Sequence, residues 1–369
     1  MERADVVIVG GGVMGTAAAR ALASRGRDVI LLERRTIGHA QGSSGGPTRN
    51  FRLTYHDPVY VRMARRALEE WRRLESDAGM ELLRVVGGLD LGAATDGSVA
   101  ALEAAGESFE RPTATEIAER WPALRVEGQS RFLYQPEGAI LRADATIAAQ
   151  ARSARADGAE LREDTGTERV RPDVAGVEIV TSGGDVLRAP TAIVAAGAWA
   201  ASLLGDVGID LPLRPTLEQS TYLTTEDAVG AIPTVIDWDA APDQPPYIVP
   251  NAFVPGEIKA GAHLSGPPVD PDTPPGPDAE REALVVDWVG RRIHPAPTPT
   301  RTETCLYTVA PDEDFVIDRA GPVVVASPCS GHGFKFAPLI GEVLADLATG
   351  ETPSIPLERF RVDRPVLRR

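Results

Sequence analysis

Only two of the 38 lysine and arginine residues in this 369-residue chain are lysines, Lys259 and Lys335. A guanidinium is planar, bulky and permanently charged, so arginine serves wherever a solvated positive charge is enough. It cannot serve where a compact ammonium on a thin stem is required. The two lysines are therefore candidates for ammonium chemistry, with chance placement in a lysine-poor chain as the competing account. Lys259 opens Lys-x-x-x-His, ending at His263, and Lys335 ends Gly331-His332-Gly333-Phe334-Lys335. Cys305 opens Cys-x-Tyr-Thr over 305–308, and Cys329, the other cysteine, reads as a small core residue. Two cysteines are too few for a disulfide scaffold and fit a reducing cytoplasm.

The elements that must position these groups begin at the N-terminus. Asp5-Val6-Val7-Ile8-Val9 is a buried-strand run, and Gly10-Gly11-Gly12-Val13-Met14-Gly15 follows it. An alanine-rich helix is expected from about Met14 to Ser24, then a second strand, Val29-Ile30-Leu31-Leu32, ending on Glu33. A G-x-G-x-x-G run between strand and helix, with an acid at the next strand end, is a dinucleotide-binding unit. Gly10 permits the tight turn, Gly12 lets the backbone approach a pyrophosphate, and Gly15 lets the helix pack on the strand. The unpaired N–H groups of the helix N-terminus stabilise the phosphate charge. Glu33 is placed to accept hydrogen bonds from ribose hydroxyls, which favours FAD or NAD over a 2′-phosphorylated cofactor.

After Glu33 the chain leaves the doubly wound pattern of an NAD domain for Gly42-Ser43-Ser44-Gly45-Gly46-Pro47-Thr48-Arg49. Such small residues suit a loop beside a flat cofactor or its phosphates. Arg49 and Arg52 stand three apart, one turn if that segment is helical. Two arginines there could hold a substrate carboxylate or the negative charge of a reduced flavin.

Further along, Asp57-Pro58 reads as an N-cap with proline at the first helical position. Tyr60, Met63, Ala67, Trp71 and Leu74 then share one helical face, a core stripe. Val85 to Leu91 reads as one strand kinked at Gly87-Gly88, Thr113 to Glu119 as a short helix and Ala143 to Asp157 as another. Short strands are expected over 168–170 and 176–180, and Thr191 to Val194 leads into the glycine turn Gly197-Ala198-Trp199. The stretch from about Leu211 to Pro297 is proline-rich, and its strands around 221–223 and 258–260 fit an antiparallel sheet. A strand over 322–326 and a helix over 337–347 close the chain. The reading is an α/β fold: a Rossmann-like, discontinuous FAD-binding domain over 1–84, 137–210 and 298–369, and an α+β substrate domain over 85–136 and 211–297.

Composition narrows the class. A formal net charge of −15 argues against a nucleic-acid partner. No apolar stretch approaches membrane-spanning length, and the strand-like start lacks a basic leader, so the expected location is the cytoplasm. No metal site is expected. The partner expected is a small-molecule substrate, with the chain a monomer or weak homo-oligomer; oxygen as a second reactant is implied only by the resemblance that follows.

With the C-terminal motif in view, the chain resembles the D-amino-acid-oxidase superfamily of FAD enzymes. Within it, the chain is similar to the monomeric sarcosine oxidase and N-methyltryptophan oxidase group, with the related pipecolate and piperideine-carboxylate oxidases. The resemblance rests on the N-terminal fingerprint, Thr-Arg-x-x-Arg over 48–52, Gly-Ala-Trp over 197–199, and the Lys259, Cys305 and Lys335 motifs. It implies FAD held through a thioether to Cys305, Lys259 beside flavin N5 to promote reaction with oxygen, and Arg52 with Lys335 gripping the substrate carboxylate. Arg49 matches an arginine beside the flavin ring, and His263, Tyr307 and Tyr247 match pocket residues. The implied cofactor contacts also include Val13, Met14, Arg34, Ser43, Ser44, Thr48, Val170, Gly197, Trp199, Gly331, His332, Gly333, Phe334 and Lys335 itself. Gly45 stands where sarcosine-specific members carry histidine, which points to a larger or less polar pocket and to a bulkier N-methyl or cyclic secondary amino acid.

The activity so implied is oxidation of a secondary α-amino acid: hydride transfer to flavin N5, an imine product and hydrogen peroxide. The alternatives are a primary-amine or imine-oxidising flavoenzyme of secondary metabolism, and a flavin electron-transfer subunit without turnover. An NAD dehydrogenase leaves Cys305 and the C-terminal glycine motif without a task.

Overall fold

The computed structural model describes residues 2–128, 131–225 and 232–368. A six-stranded sheet runs in the order Val316–Ala320, Val323–Ser327, Thr191–Val194, Val6–Val9, Val29–Leu32, Glu160–Arg162. All its pairings are parallel except that of the first two strands. The unbroken apolar run at residues 6–9 follows from burial on both faces. Val6 and Ile8 enter one hydrophobic cluster and Val7 and Val9 the other. Helices Val13–Ser24, Ala143–Ala156 and Ala337–Thr349 contribute to the first cluster. Close helix packing explains the small residues, since a Cβ on Gly341 would lie 2.7 Å from Ala17.

The long helix Pro58–Ala78 starts on Asp57, whose side chain accepts from the Val59 N–H, and stops at Gly79 with φ of 63°. Its expected stripe is buried, Trp71 fully so. The single strand expected over 85–91 is two. Leu83–Val85 joins a three-stranded sheet with Ala139–Arg142 and Thr48–Phe51, while Gly88–Leu91 joins a seven-stranded one. Gly87, at φ of 82°, makes the change of direction that a β-conformation cannot.

The seven-stranded sheet runs Thr298–Val309, Arg214–Thr224, Glu257–Ala262, Pro246–Pro250, Thr234–Asp237, Gly88–Leu91, Phe132–Gln135. It is antiparallel apart from the parallel pair Thr234–Asp237 and Gly88–Leu91. The strand Thr298–Val309 begins at the expected domain boundary and pairs along Arg214–Thr224, so Cys305 and Tyr307 sit in this sheet.

Alternation divides the sheet's chemistry, because paired residues share a face and neighbours in sequence do not. One face carries Leu89, Leu91, Leu223, Val235, Ile248, Ile258 and Ala260, packed with Val285, Trp288 and Val289 of helix Ala279–Arg292. The other carries Lys259 between its partners Tyr222 and Val249. In the adjacent row Gly261, Tyr247, Ile236 and Asp90 follow one another across the strands. Cys305 and Tyr307 share this face, opposite Glu218 and Thr216. Among the described residues, no helix is long and apolar enough to cross a membrane, and no group of three or more His, Cys, Asp or Glu is arranged to hold a metal ion.

Candidate active site

A cavity of about 670 Å³ extends from the glycine loop at Gly10–Gly12 to the polar face of the seven-stranded sheet. At its entry Gly10 takes φ of 106°, and a Cβ there would lie 2.5 Å from the Ala195 carbonyl oxygen. A Cβ on Gly15 would come within 1.8 Å of the Gly10 oxygen, so this glycine serves helix packing and does not line the cavity. Ser44 Oγ accepts from the Val13 N–H at 3.1 Å and caps the helix on the cavity side.

Glu33 is buried and holds the loop, accepting from the Gly11 N–H at 2.7 Å and the Arg35 N–H at 2.9 Å, with His39 Nε2 at 3.4 Å. Burial alone would raise its pKa. The hydrogen bonds from His39, Gly11 and Arg35 outweigh burial and hold it below the usual carboxylate value. A carboxylate has about four acceptor positions, so these three donors leave capacity for one ribose hydroxyl. Ser43 Oγ, Asn50 Oδ1 and Thr167 Oγ1 are buried at the cavity wall without a hydrogen-bond partner. Unpaired buried polar atoms cost free energy, so a wall carrying three of them fits a polar ligand. The acid, the glycine cradle and these atoms together suit a dinucleotide.

At the far end the two lysines are both buried, on different elements. Lys259 projects from Glu257–Ala262 and donates to the Thr48 carbonyl at 3.3 Å. Burial first, and then the Arg49 charge, lower its pKa to about 7, against an opposing pull from Cys305, Glu303 and Asp144. Lys335 lies in the turn Phe334–Phe336 before the last long helix and donates to the His332 carbonyl at 2.8 Å. Burial and then Arg52 push it well below the lysine range. Burial, Arg52 and Lys335 likewise push His263 down to about 3, so its imidazole is neutral.

The two arginines are not on one helical turn, because residues 48–51 form a strand. Arg49 donates to the carbonyls of Thr48, Ser43 and Gly45 and lies over the Phe334 ring at 5.5 Å. Arg52, just past the strand, donates to the Thr54 carbonyl at 2.8 Å. Its guanidinium lies over Tyr55 at 4.8 Å and Trp238 at 5.7 Å, with Asp90 Oδ2 at 3.9 Å. Tyr247 pairs its hydroxyl with Ser220 Oγ at 3.1 Å, and the Tyr307 and His263 rings are 5.7 Å apart. The Cys305 thiol is raised by burial, with Arg49 and Lys259 pulling the other way.

A family model described as FAD-dependent oxidoreductase matches residues 5–347 of this chain. The chain belongs to the FAD-dependent oxidoreductase family. It is similar to monomeric sarcosine oxidase of Streptomyces avermitilis, at 32% identity over 96% of each chain. N-methyl-L-tryptophan oxidase of Salmonella heidelberg is 29% identical over 98% of each chain. Among solved structures, NikD, an unusual amino acid oxidase essential for nikkomycin biosynthesis, superposes with a TM-score of 0.88 at 28% identity over 98% of each chain.

In this FAD-dependent oxidoreductase most residues singled out from sequence line the one cavity, including Gly10, Gly12, Val13, Met14, Glu33, Arg34, Ser43, Arg49, Arg52, Gly197, Trp199, Lys259, His263, Cys305, Tyr307 and Gly331 through Lys335. Val170 does not. It is fully buried in the strand Thr167–Asp173, which belongs to a further, four-stranded sheet, and Thr167 and Glu168 of that strand line the cavity instead. Thr48 contributes its backbone carbonyl to Lys259, its side chain being buried off the cavity. Gly45 is not on the wall either, and a Cβ there would meet the backbone of His39 and Ala40 at 2.8 Å. The missing histidine therefore opens no space in this cavity.

Gly331 and Gly333 also have a steric reason beside the cofactor contact that the resemblance implies. A Cβ on Gly331 would lie 2.2 Å from the Tyr307 ring, and one on Gly333 would lie 1.6 Å from the Pro328 oxygen. Sequence reasoning missed Ser220, Ile236 and Val249, which come to the wall through strand pairing across the seven-stranded sheet, Trp238, one residue past the strand Thr234–Asp237, and Asn50, on the strand Thr48–Phe51 of the three-stranded sheet. Cys329, read as a core residue, also lines the cavity.

Proposed function

We propose that this FAD-dependent oxidoreductase oxidises a secondary α-amino acid, N-methyl or cyclic, with FAD attached through Cys305. The observation that carries the reading is the convergence of Arg52 and Lys335, from opposite ends of the sequence, at a cavity end that has a neutral imidazole and apolar walls. When bound, FAD supplies the two-electron chemistry: it accepts a hydride from the carbon next to nitrogen and passes the electrons to oxygen as hydrogen peroxide. The organic product is an imine, which water hydrolyses.

The chain's own residues bind, orient and hold protons. Gly10–Gly12, Glu33, Ser43 and Ser44 would hold the dinucleotide portion. Arg52 and Lys335 fix the substrate carboxylate, and the incoming anion opposes the burial and the Arg52 charge that depress Lys335, so carboxylate binding favours its ammonium form. Holding the carboxylate at two points turns the reacting C–H into one fixed direction. His263 stays neutral and adds no repulsion toward the amine. Lys259 places an ammonium where negative charge would develop on oxygen, an electrostatic role for which a preorganised cation is suited. Among the described residues no carboxylate lines this end, so the amine binds unprotonated or releases its proton to water. Ile236, Trp238, Pro245 and Val249 make the wall apolar and suit a ring or a bulky side chain.

Likeness to NikD, an amino acid oxidase of nikkomycin biosynthesis, favours a second reading, a primary-amine- or imine-oxidising flavoenzyme of secondary metabolism. Peroxide release from sarcosine, N-methyltryptophan, proline, pipecolate and piperideine-carboxylate separates the two. Preference for the secondary amino acids supports the first reading, preference for the cyclic imine the second, and no turnover with any of them overturns both. Yellow colour that stays with acid-precipitated protein supports attachment at Cys305; colour left in the supernatant ends that assignment.

A further inference from the structure

Asp90 lies in the strand Gly88–Leu91, every residue of which is buried, on the face that carries Lys259 and Tyr247. A carboxylate there is costly unless it is held by partners. Other buried acids are held closely. Glu218 accepts from Thr216 Oγ1 at 2.8 Å and from the N–H groups of Gly266 and Ser265 at 3.0 and 3.1 Å. Asp237 takes Arg292 at 2.7 Å and the Trp288 indole at 3.1 Å. Asp90 Oδ2 accepts from Trp238 Nε1 at 3.3 Å and stands 3.9 Å from Arg52 Nη1, too far for a hydrogen bond. Its indole donor and its cation both line the cavity, while Asp90 lies behind them.

Arg52 is thus enclosed by the Tyr55 ring, the Trp238 ring and the Asp90 carboxylate, and one acid holds the indole against the guanidinium. We propose that Asp90 is a positioning residue that sets the strength of the Arg52 grip on a substrate carboxylate, acting as a retained counter-charge and as the anchor of Trp238. The physical logic is competition. The anion behind Arg52 offsets part of the field an incoming carboxylate meets, so binding is tempered and release of an anionic product is eased. Burial raises the Asp90 pKa, with Arg52 and the hydrogen bonds from Trp238 and Thr54 opposing, so the anion depends on these partners.

The proposal rests on the carboxylate-subsite reading above, and one experiment separates the two. Calorimetry on the FAD-loaded enzyme gives the affinity ratio of benzoate to benzamide, two ligands of one shape that differ in charge. Wild type should prefer benzoate, and Arg52→Met, which leaves Lys335 in place, should lower the preference; a wild type without preference overturns the subsite reading. Asp90→Asn keeps an acceptor for Trp238 but removes the charge, so the ratio should rise by roughly tenfold, the scale of one partly screened charge several ångströms away. Trp238→Phe removes the indole donor and frees Asp90 to close on Arg52, so the ratio should fall, packing losses cancelling between the two ligands. A preference that Arg52→Met lowers but both other variants leave unchanged overturns the role of Asp90. If Asp90→Asn does not fold, the direction of the Trp238→Phe change decides.

Discussion

Lys259 is held near neutrality by burial and by the Arg49 charge, its pKa lowered to about 7 from the ordinary 10.5. Its ammonium form therefore dominates below about pH 7 and is lost as pH rises through that value. If the ammonium assists reaction with oxygen, the rate of flavin reoxidation should fall over the same interval in the wild type. Lys259→Met should slow reoxidation by roughly 10²–10³-fold, the cost of removing one preorganised donor, and should flatten that pH profile. Stopped-flow measurement of the two half-reactions checks this, and equal slowing of anaerobic reduction would contradict the role. The same shift has a stability sign. Between about pH 7 and 10.5 the unfolded chain binds more protons at this lysine than the folded one. The cost of burying it is fully present below that window and is relieved as pH rises across it. For Lys335 the depression comes from burial and Arg52, so Lys335→Met should weaken carboxylate ligands while leaving neutral ones nearly unchanged. Competitive inhibition by benzoate and benzamide measures it.

At the scale of elements, the site depends on turns that tolerate no side chain. Gly331 combines φ of 78° with a Tyr307 ring that a Cβ would meet at 2.2 Å. Gly331→Ala should cost about 1–3 kcal/mol from backbone strain alone, and it must also displace Tyr307. A lowered Tm together with weaker carboxylate binding is the expected pair of results. A variant with normal Tm and normal binding would show that the loop relaxes freely. At the start of Pro58–Ala78, Asp57 caps the Val59 N–H at 2.8 Å and also pairs with Arg359, which reaches Asp314 as well. Asp57→Ala should cost about 1 kcal/mol for the cap, with little effect on turnover, because Asp57 does not line the cavity, which the helix meets through Trp71, whose indole donates to the Lys335 carbonyl at 2.7 Å, and through Tyr60, whose ring lies 5.2 Å from that of His332. Denaturant unfolding gives the number.

At the scale of the molecule, the two large sheets contribute different halves of one cavity, and a loop after the strand Glu257–Ala262 reaches back over the cofactor end. Asp272 in that loop accepts from Arg34 at 2.9 Å and from the Trp199 indole at 3.0 Å, and Arg34 lies over the Trp199 ring at 4.9 Å. Both partners line the cavity. Exposed ion pairs contribute little to stability, about 0–1 kcal/mol, so Asp272→Ala should leave Tm almost unchanged. In a Cys305→Ser background it should instead hasten FAD loss, read from the rise of free-flavin fluorescence. Unchanged release would mean the loop does not retain the cofactor. In that background, stripping the flavin should also lower Tm, since a ligand that binds only the folded chain stabilises it by mass action.

Local chemistry was readable directly from the sequence. The glycine fingerprint, Glu33, the capped helix at Asp57 and the two lysine motifs are each written in neighbouring residues, because a tight turn, a helix start or a phosphate cradle is decided over a few residues. The division of the strands over 85–91, the inward burial of Val170 and the absence of Gly45 from the wall were not. Nor was the row from Gly261 through Tyr247 and Ile236 to Asp90. Which strand lies beside which is set by long-range pairing, and alternation says only that residues two apart share a face, not what that face meets. Only the tertiary structure put Asp90 behind Arg52 and brought Lys335, from a turn ahead of the last long helix, to the cavity end that Arg52 also lines.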